Sequence, residues 1–138
     1  LPTHLIPVLC KAVNESETFT VFGDTHATKD GTTSRDYTHV MDIVEGHVKA
    51  LEYLNAGGNT DVFNIGAGHT HTILEVIERF RAVTGKTVDY KVGNKRPGDV
   101  NITFANNIKA QHILDWQPTR DLDTIIADAW AWETRKKK

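Results

Sequence analysis

The chain has 138 residues, of which 39% are hydrophobic and 25% charged, and its formal net charge is −2. That length suits one domain, 1–138, with a core of its own, and the near-neutral charge excludes a general basic field for nucleic acid. One cysteine, Cys10, excludes an internal disulfide and suits a reducing, cytoplasmic setting, and no run approaches the roughly 20 apolar residues of a membrane-spanning helix.

In chain order, "LIPVLCKAV" at 5–13 sets Leu5, Val8, Leu9 and Ala12 on one helical face, with Pro7 tolerated in the first turn. Cys10 lies in this apolar stretch and reads as a buried small residue, not a nucleophile. "FTVFG" reads as a short strand, "DTHATKDGTTS" as a polar loop with a D-G turn, and "YTHVM" as a return to strand alternation. Asp42 with Glu45 predicts a capping box that opens a helix faced by Val44, Val48 and Leu51 and ended by Gly57-Gly58. "VFNI" predicts a short buried strand. Thr72 with Glu75 predicts a second capping box. Ile73, Val76, Ile77, Phe80 and Val83 follow at helical spacing, and Gly85 ends the helix.

"TVDYKV" alternates as a half-buried strand does, and "VNITF" reads as another strand. Asn106 predicts the cap of a short helix ending near Leu114. Asp121 caps a last one, striped by Leu122, Ile125, Ile126, Ala129 and Trp130. The basic run Arg135 to Lys138 reads as a solvated helix end. Strands alternating with helices predict a mixed α/β class. A chain that starts at Leu1, without methionine or a basic leader, reads as cut from something longer.

Four places could carry chemistry. Arg35 stands in "RDYTHV", and "NKRPGDV" brings Arg96 and Asp99 together across a Pro-Gly turn. A guanidinium grips phosphate with a planar fork, and a carboxylate accepts from sugar hydroxyls, so two distant arginines could hold a diphosphate from two sides. Two surface arginines paired with local aspartates are the competing reading. "NIGAGHTHT" places a G-x-G turn between a strand and a helix, but no third glycine follows, and a simple tight connection explains it as well. His69 and His71, two residues apart, lack any zinc-type spacing. The three tryptophans read as packing residues. No tyrosine of Tyr37, Tyr53 and Tyr90 has a lysine four residues later, and no G-x-S-x-G occurs.

The order "FTVFGD … DGTTSRDYTHVMDIVEGHVKALEYL … VFNIGAG … TILEVIERF … KRPGDV … KAQHILDWQPTRDLDTIIADAWAW" closely resembles the C-terminal, substrate-binding part of the UDP-glucose 4-epimerases, extended short-chain dehydrogenase/reductases, over essentially the whole chain. The resemblance implies an α/β substrate-binding part that lacks the N-terminal Rossmann half. It implies a UDP-sugar ligand, with Arg35 and Arg96 on the diphosphate and Asp99 on the ribose hydroxyls. The backbone around Val21 and Phe22 would face the uracil, Leu5 would lie near the pocket, and Thr103 would stand beside the sugar. Asp36, Tyr37 and His39 would hold the loop after Arg35 in place. His4, Ser34, Thr38, Thr70 and Thr103 depart from the family's usual residues.

NAD, a catalytic Ser/Thr and a Tyr-x-x-x-Lys pair would belong to the missing half. No cofactor, catalytic residue, metal, nucleic acid or membrane is then expected on this chain alone. A stand-alone nucleotide-sugar-binding module is the alternative, and a subunit completed by a separate Rossmann chain is a third reading. By resemblance, "VFNI" and the helices after Asp42 and Thr72 lie against the Rossmann half. Without that cover, self-association through Val62, Phe63 and Ile65 is expected.

Overall fold

The computed structural model describes residues 3–135. Leu1 and residues 136–138 of the basic run lie outside them. The order is α1 (Leu5–Glu15), β1 (Phe19–Phe22), β2 (Ser34–Arg35), α2 (Val40–Asn55), β3 (His71–Thr72), α3 (Ile73–Thr84), β4 (Tyr90–Gly93), β5 (Ile102–Thr103), α4 (Ile108–Leu114) and α5 (Leu122–Arg135). This is the mixed α/β class that the sequence predicts. β1 and β4 form a parallel pair, with Val21 opposite Val92 and Phe22 opposite Gly93. β2 lies between antiparallel β3 and parallel β5, which sets Arg35 opposite both His71 and Thr103. Among the described residues, no helix is long and apolar enough to cross a membrane.

The main core lies where α5 packs on α1 and α3. Ile6, Leu9 and Cys10 of α1 meet Val21 of β1, Val76, Ile77 and Phe80 of α3, and Ile126 of α5. Phe80 and Trp130 meet edge to face at 5.5 Å. Burial pushes the Cys10 thiol up to about 12, with Glu133 adding to it, as befits an inert packing residue. The start of α3 follows from local sequence alone: Thr72 and Glu75 exchange both bonds of a capping box, and Gly85 closes the helix at φ 65°. Asp121 caps α5 through the Thr124 amide at 2.9 Å.

A second, smaller cluster joins Ala110, Leu114 and Trp116 to Ala50, Tyr53, Phe63 and Ile65. It seats α4 on α2, and Gly46 admits the close approach of Ile65, whose Cδ1 would lie 3.0 Å from an added Cβ.

Several expectations are corrected. α2 opens at Val40, two residues before Asp42, and its cap is His39, whose Nδ1 accepts from the Met41 amide at 3.0 Å. Asp42 is instead fully buried inside the first turn and takes tertiary partners, the Thr119 amide and hydroxyl and Arg120. Burial acts to raise its pKa, but the bonds from Arg120 and Thr119 outweigh it and hold the carboxyl below its usual value. "YTHVM" forms no strand; pairing stops at Arg35, and residues 36–39 turn into α2.

"VFNI" is also not a strand: among the described residues no strand pairs with it, and Val62 is 78% exposed. "TVDYKV" contributes a strand only from Tyr90, and that stretch is largely exposed. At α4 the cap position is Asn107, whose amide turns to the Gly66 carbonyl at 2.7 Å, while Asn106 Oδ1 accepts from the Ile108 amide at 3.2 Å. The apolar stripe of α3 needs no outside cover, since α1 and α5 bury it. The stripe of α2 is different: Val44, Val48 and Leu51 face outward, with Leu51 58% exposed.

Candidate functional site

The short loop of "KRPGD" folds Arg96 back on Asp99. Arg96 Nε donates to Asp99 Oδ2 at 2.9 Å, and its Nη2 lies 3.4 Å from Oδ1. Its guanidinium also lies over the Phe22 ring, 4.7 Å from the centroid, which fixes the plane of the fork. Arg35 reaches the same carboxylate from β2, with Nη2 4.0 Å from Asp99 Oδ1. Its Nη1 donates to the Ser34 carbonyl at 2.8 Å and leans on the Asn101 carbonyl at 3.4 Å. Two arginines 61 positions apart in sequence thus converge on one largely shielded carboxylate.

Beside this cluster, α1 and β1 open a cleft of about 470 Å³ lined by Leu5, Val8, Phe19, Thr20, Phe22 and Arg96, among others. Of the residues predicted from sequence, Leu5, Phe22 and Arg96 line this cleft. Asp99 and Arg35 adjoin it through Arg96 and Asp99 in turn. The Val21 side chain is fully buried and points into the core, so only its backbone is available to a ligand. Thr103 stands across β2–β5 from Arg35, exposed, and is not among the residues lining the cleft.

The loop after Arg35 is held as the sequence suggests. The Asp36 carboxylate accepts from the amides of Ala67 (2.9 Å), Gly68 (3.0 Å) and Ala105 (3.1 Å), and from the Thr38 hydroxyl (3.1 Å). Gly66 is required here, since an added Cβ would sit 2.5 Å from Ala105 Cβ and 2.9 Å from Asp36 Oδ2. His39 caps α2 and meets Asp128 through Nε2 at 3.1 Å. The Tyr37 ring packs on the main core, and burial pushes its phenol up to about 12 against the pull of Arg35.

This arrangement decides the glycine-rich turn. The amides that would cradle a phosphate are engaged by an internal carboxylate, so the turn is a structural connection. His69 and His71 stack edge to face at 5.3 Å, and burial lowers the His71 pKa. Among the described residues, no group of three or more His, Cys, Asp or Glu side chains is placed to hold a metal ion. One contributor, Asn101, and the distant partners of another, Asp36, were not legible in sequence. Asn101 supports Arg35 through its carbonyl and pairs its side chain with buried His26 at 3.1 Å. Asp36 reads as a neighbour of Arg35, but its amide partners lie 31 to 69 residues away.

A family model described as GDP-mannose 4,6 dehydratase matches residues 1–129. The chain is 42% identical over 135 residues to a UDP-glucose 4-epimerase of Bacillus subtilis, covering 97% of this chain and 40% of that protein. The fold matches a UDP-glucose 4-epimerase from Stenotrophomonas maltophila, solved with NAD and formylated UDP-arabinopyranose, at a TM-score of 0.95 and 34% identity over 99% of this chain and 41% of that one. It matches a UDP-glucose 4-epimerase from Bifidobacterium longum in complex with NAD+ and UDP at a TM-score of 0.88, 32% identity and the same two shares. The chain therefore spans about 40% of the length of the relatives it matches. It belongs to the GDP-mannose 4,6 dehydratase family, within the extended short-chain dehydrogenase/reductases, and is similar to the C-terminal part of the UDP-glucose 4-epimerases.

Proposed function

We propose that this chain is the UDP-sugar-binding part of a UDP-glucose 4-epimerase-like enzyme, which interconverts UDP-galactose and UDP-glucose. The observation that carries this reading is the convergence of Arg35 and Arg96 on Asp99 at the edge of the α1–β1 cleft. In this reading the two forks grip the diphosphate, Asp99 accepts from the ribose hydroxyls, the backbone around Val21 and Phe22 faces the uracil, and Leu5 lies near the pocket. Thr103 stands beside the sugar. The chain orients the nucleotide and leaves proton and hydride transfer to residues it does not carry, since it has neither a Tyr-x-x-x-Lys pair nor a G-x-x-G-x-x-G turn.

Calorimetry with UDP tests the grip. Arg35→Ala and Arg96→Ala are each expected to weaken binding by about 1.5–3 kcal/mol, the range of a hydrogen bond to a charged group. Equal affinities across wild type and both variants would reduce the arginines to structural residues. The pure chain is expected to show no NAD-dependent turnover of UDP-galactose. Measurable turnover would overturn the division of labour, whereas UDP binding without turnover on adding back any Rossmann partner would favour a stand-alone binding module. For its protein partner, the outward face of α2 and Val62 support self-association, whereas Phe63 and Ile65 already pack on the Ala110, Leu114 and Trp116 cluster of this chain.

A further inference from the structure

Asp99 does more in this structure than a ribose ligand would need to do. Both oxygens face Arg96, at 2.9 and 3.4 Å, and Oδ1 also lies 4.0 Å from Arg35 Nη2. The two guanidiniums and one carboxylate leave a net charge of +1 where the arginines alone would present +2. The carboxylate side chain is only 19% exposed, so its field is poorly screened at the place where an anion would bind. Arg35 is held by the Ser34 and Asn101 carbonyls, and Arg96 is held over Phe22. Each fork thus has at least one contact besides Asp99.

We infer that Asp99 is a selectivity element of this site: it disfavours bare polyphosphate anions and admits a diphosphate that brings vicinal hydroxyls to its carboxylate. The inference rests on the diphosphate reading above. An inorganic anion must displace Asp99 from Arg96 and then tolerate it at close range, with nothing to satisfy the freed carboxylate oxygens. A nucleoside diphosphate meets the same repulsion but donates two hydroxyls to that carboxylate, which offsets the loss.

The test is titration of the whole chain with inorganic pyrophosphate and with UDP, in wild type, Asp99→Asn, Asp99→Ser and Asp99→Glu. In Asn and Ser variants whose circular dichroism matches wild type, pyrophosphate should tighten by about three- to tenfold on loss of one nearby negative charge. UDP should not tighten, so the ratio of pyrophosphate Kd to UDP Kd falls by at least about three- to tenfold, and the glutamate variant restores it. A ratio unchanged because both ligands weaken alike would overturn the inference and leave Asp99 as a brace for the arginines. Pyrophosphate binding to none of the proteins would overturn it too. If pyrophosphate tightens while UDP binds wild type no better than pyrophosphate does, the charge role of Asp99 stands and the nucleotide reading fails.

Discussion

Two regions of this molecule handle apolar surface in opposite ways. Around α1, α3, α5 and β1, every long apolar stripe finds a partner within the chain, and Leu9, Val21, Val76, Phe80 and Ile126 reach full burial. Around α2 and α4 the buried apolar side chains among the described residues are just Ala110, Leu114 and Trp116, and the face of α2 that carries Val44, Val48 and Leu51 stays open. The helices have similar amphipathic patterns, so the pattern alone does not reveal which face is covered by the same chain. The first region is a self-sufficient core on which β1 and the cleft are built. The second depends for its position on polar ties, above all those of Asp42 and Trp116.

The contrast can be broken most directly at Phe80. It is fully buried among α1, α3 and α5 and stacked on Trp130, so Phe80→Ala is expected to lower stability by about 3–5 kcal/mol, through lost transfer energy and a cavity. Urea unfolding followed by tryptophan fluorescence measures this. A loss below about 1 kcal/mol would mean that the first region is loosely packed and that the comparison has no basis.

The next effect lies at the joint of the second region. Asp42→Ala removes the acceptor of the Thr119 and Arg120 amides and takes from Arg120 its buried carboxylate partner, leaving Glu45 and the Thr119 hydroxyl, so a loss of about 2–3 kcal/mol is expected. The pH dependence follows from the depressed folded-state pKa. In the unfolded chain the carboxyl titrates near its ordinary value, so the stabilisation is full at neutral pH and fades as pH falls below about 4 through the lowered folded value. Wild type and Asp42→Ala should therefore converge in stability on acidification. A gap that persists unchanged at pH 3 would show that the Asp42 charge contributes nothing and that only its shape matters.

What the sequence revealed follows the reach of each interaction. The Thr72–Glu75 box and the Gly85 stop were legible because every partner lies within one turn. Arg96 with Asp99 was legible for the same reason, through the Pro-Gly turn. Asp42 with Glu45 carries the same local pattern as Thr72 with Glu75. It was misread because its winning partners stand 77 and 78 positions away and His39 had already capped the helix. "VFNI" has the composition of a buried strand, but a strand also needs a neighbour, and hydrophobicity does not encode one. Arg35 could be nominated from its surroundings, whereas its support by Asn101, 66 positions on, emerges only from the β2–β5 pairing.

The smallest change in stability is expected on the open face of α2, and it sharpens the comparison most. Val48 and Leu51 are more than half exposed, so Val48→Lys and Leu51→Lys remove little buried area and should shift stability by no more than about 0.5 kcal/mol. Lysine is also a better helix former than valine and about equal to leucine, so α2 itself should not suffer. If the face associates with a second copy, the same substitutions place charges in that contact, and desolvating them would oppose assembly strongly. Light scattering over a concentration series should then give more than one chain's mass for wild type and one chain's mass for the double variant, with unfolding midpoints at low concentration nearly the same. A wild type that stays monomeric at high concentration would remove the second copy as the cover of this face. A double variant that loses several kcal/mol would show that α2 is packed within the chain after all, and the distinction between the two regions would fall with it.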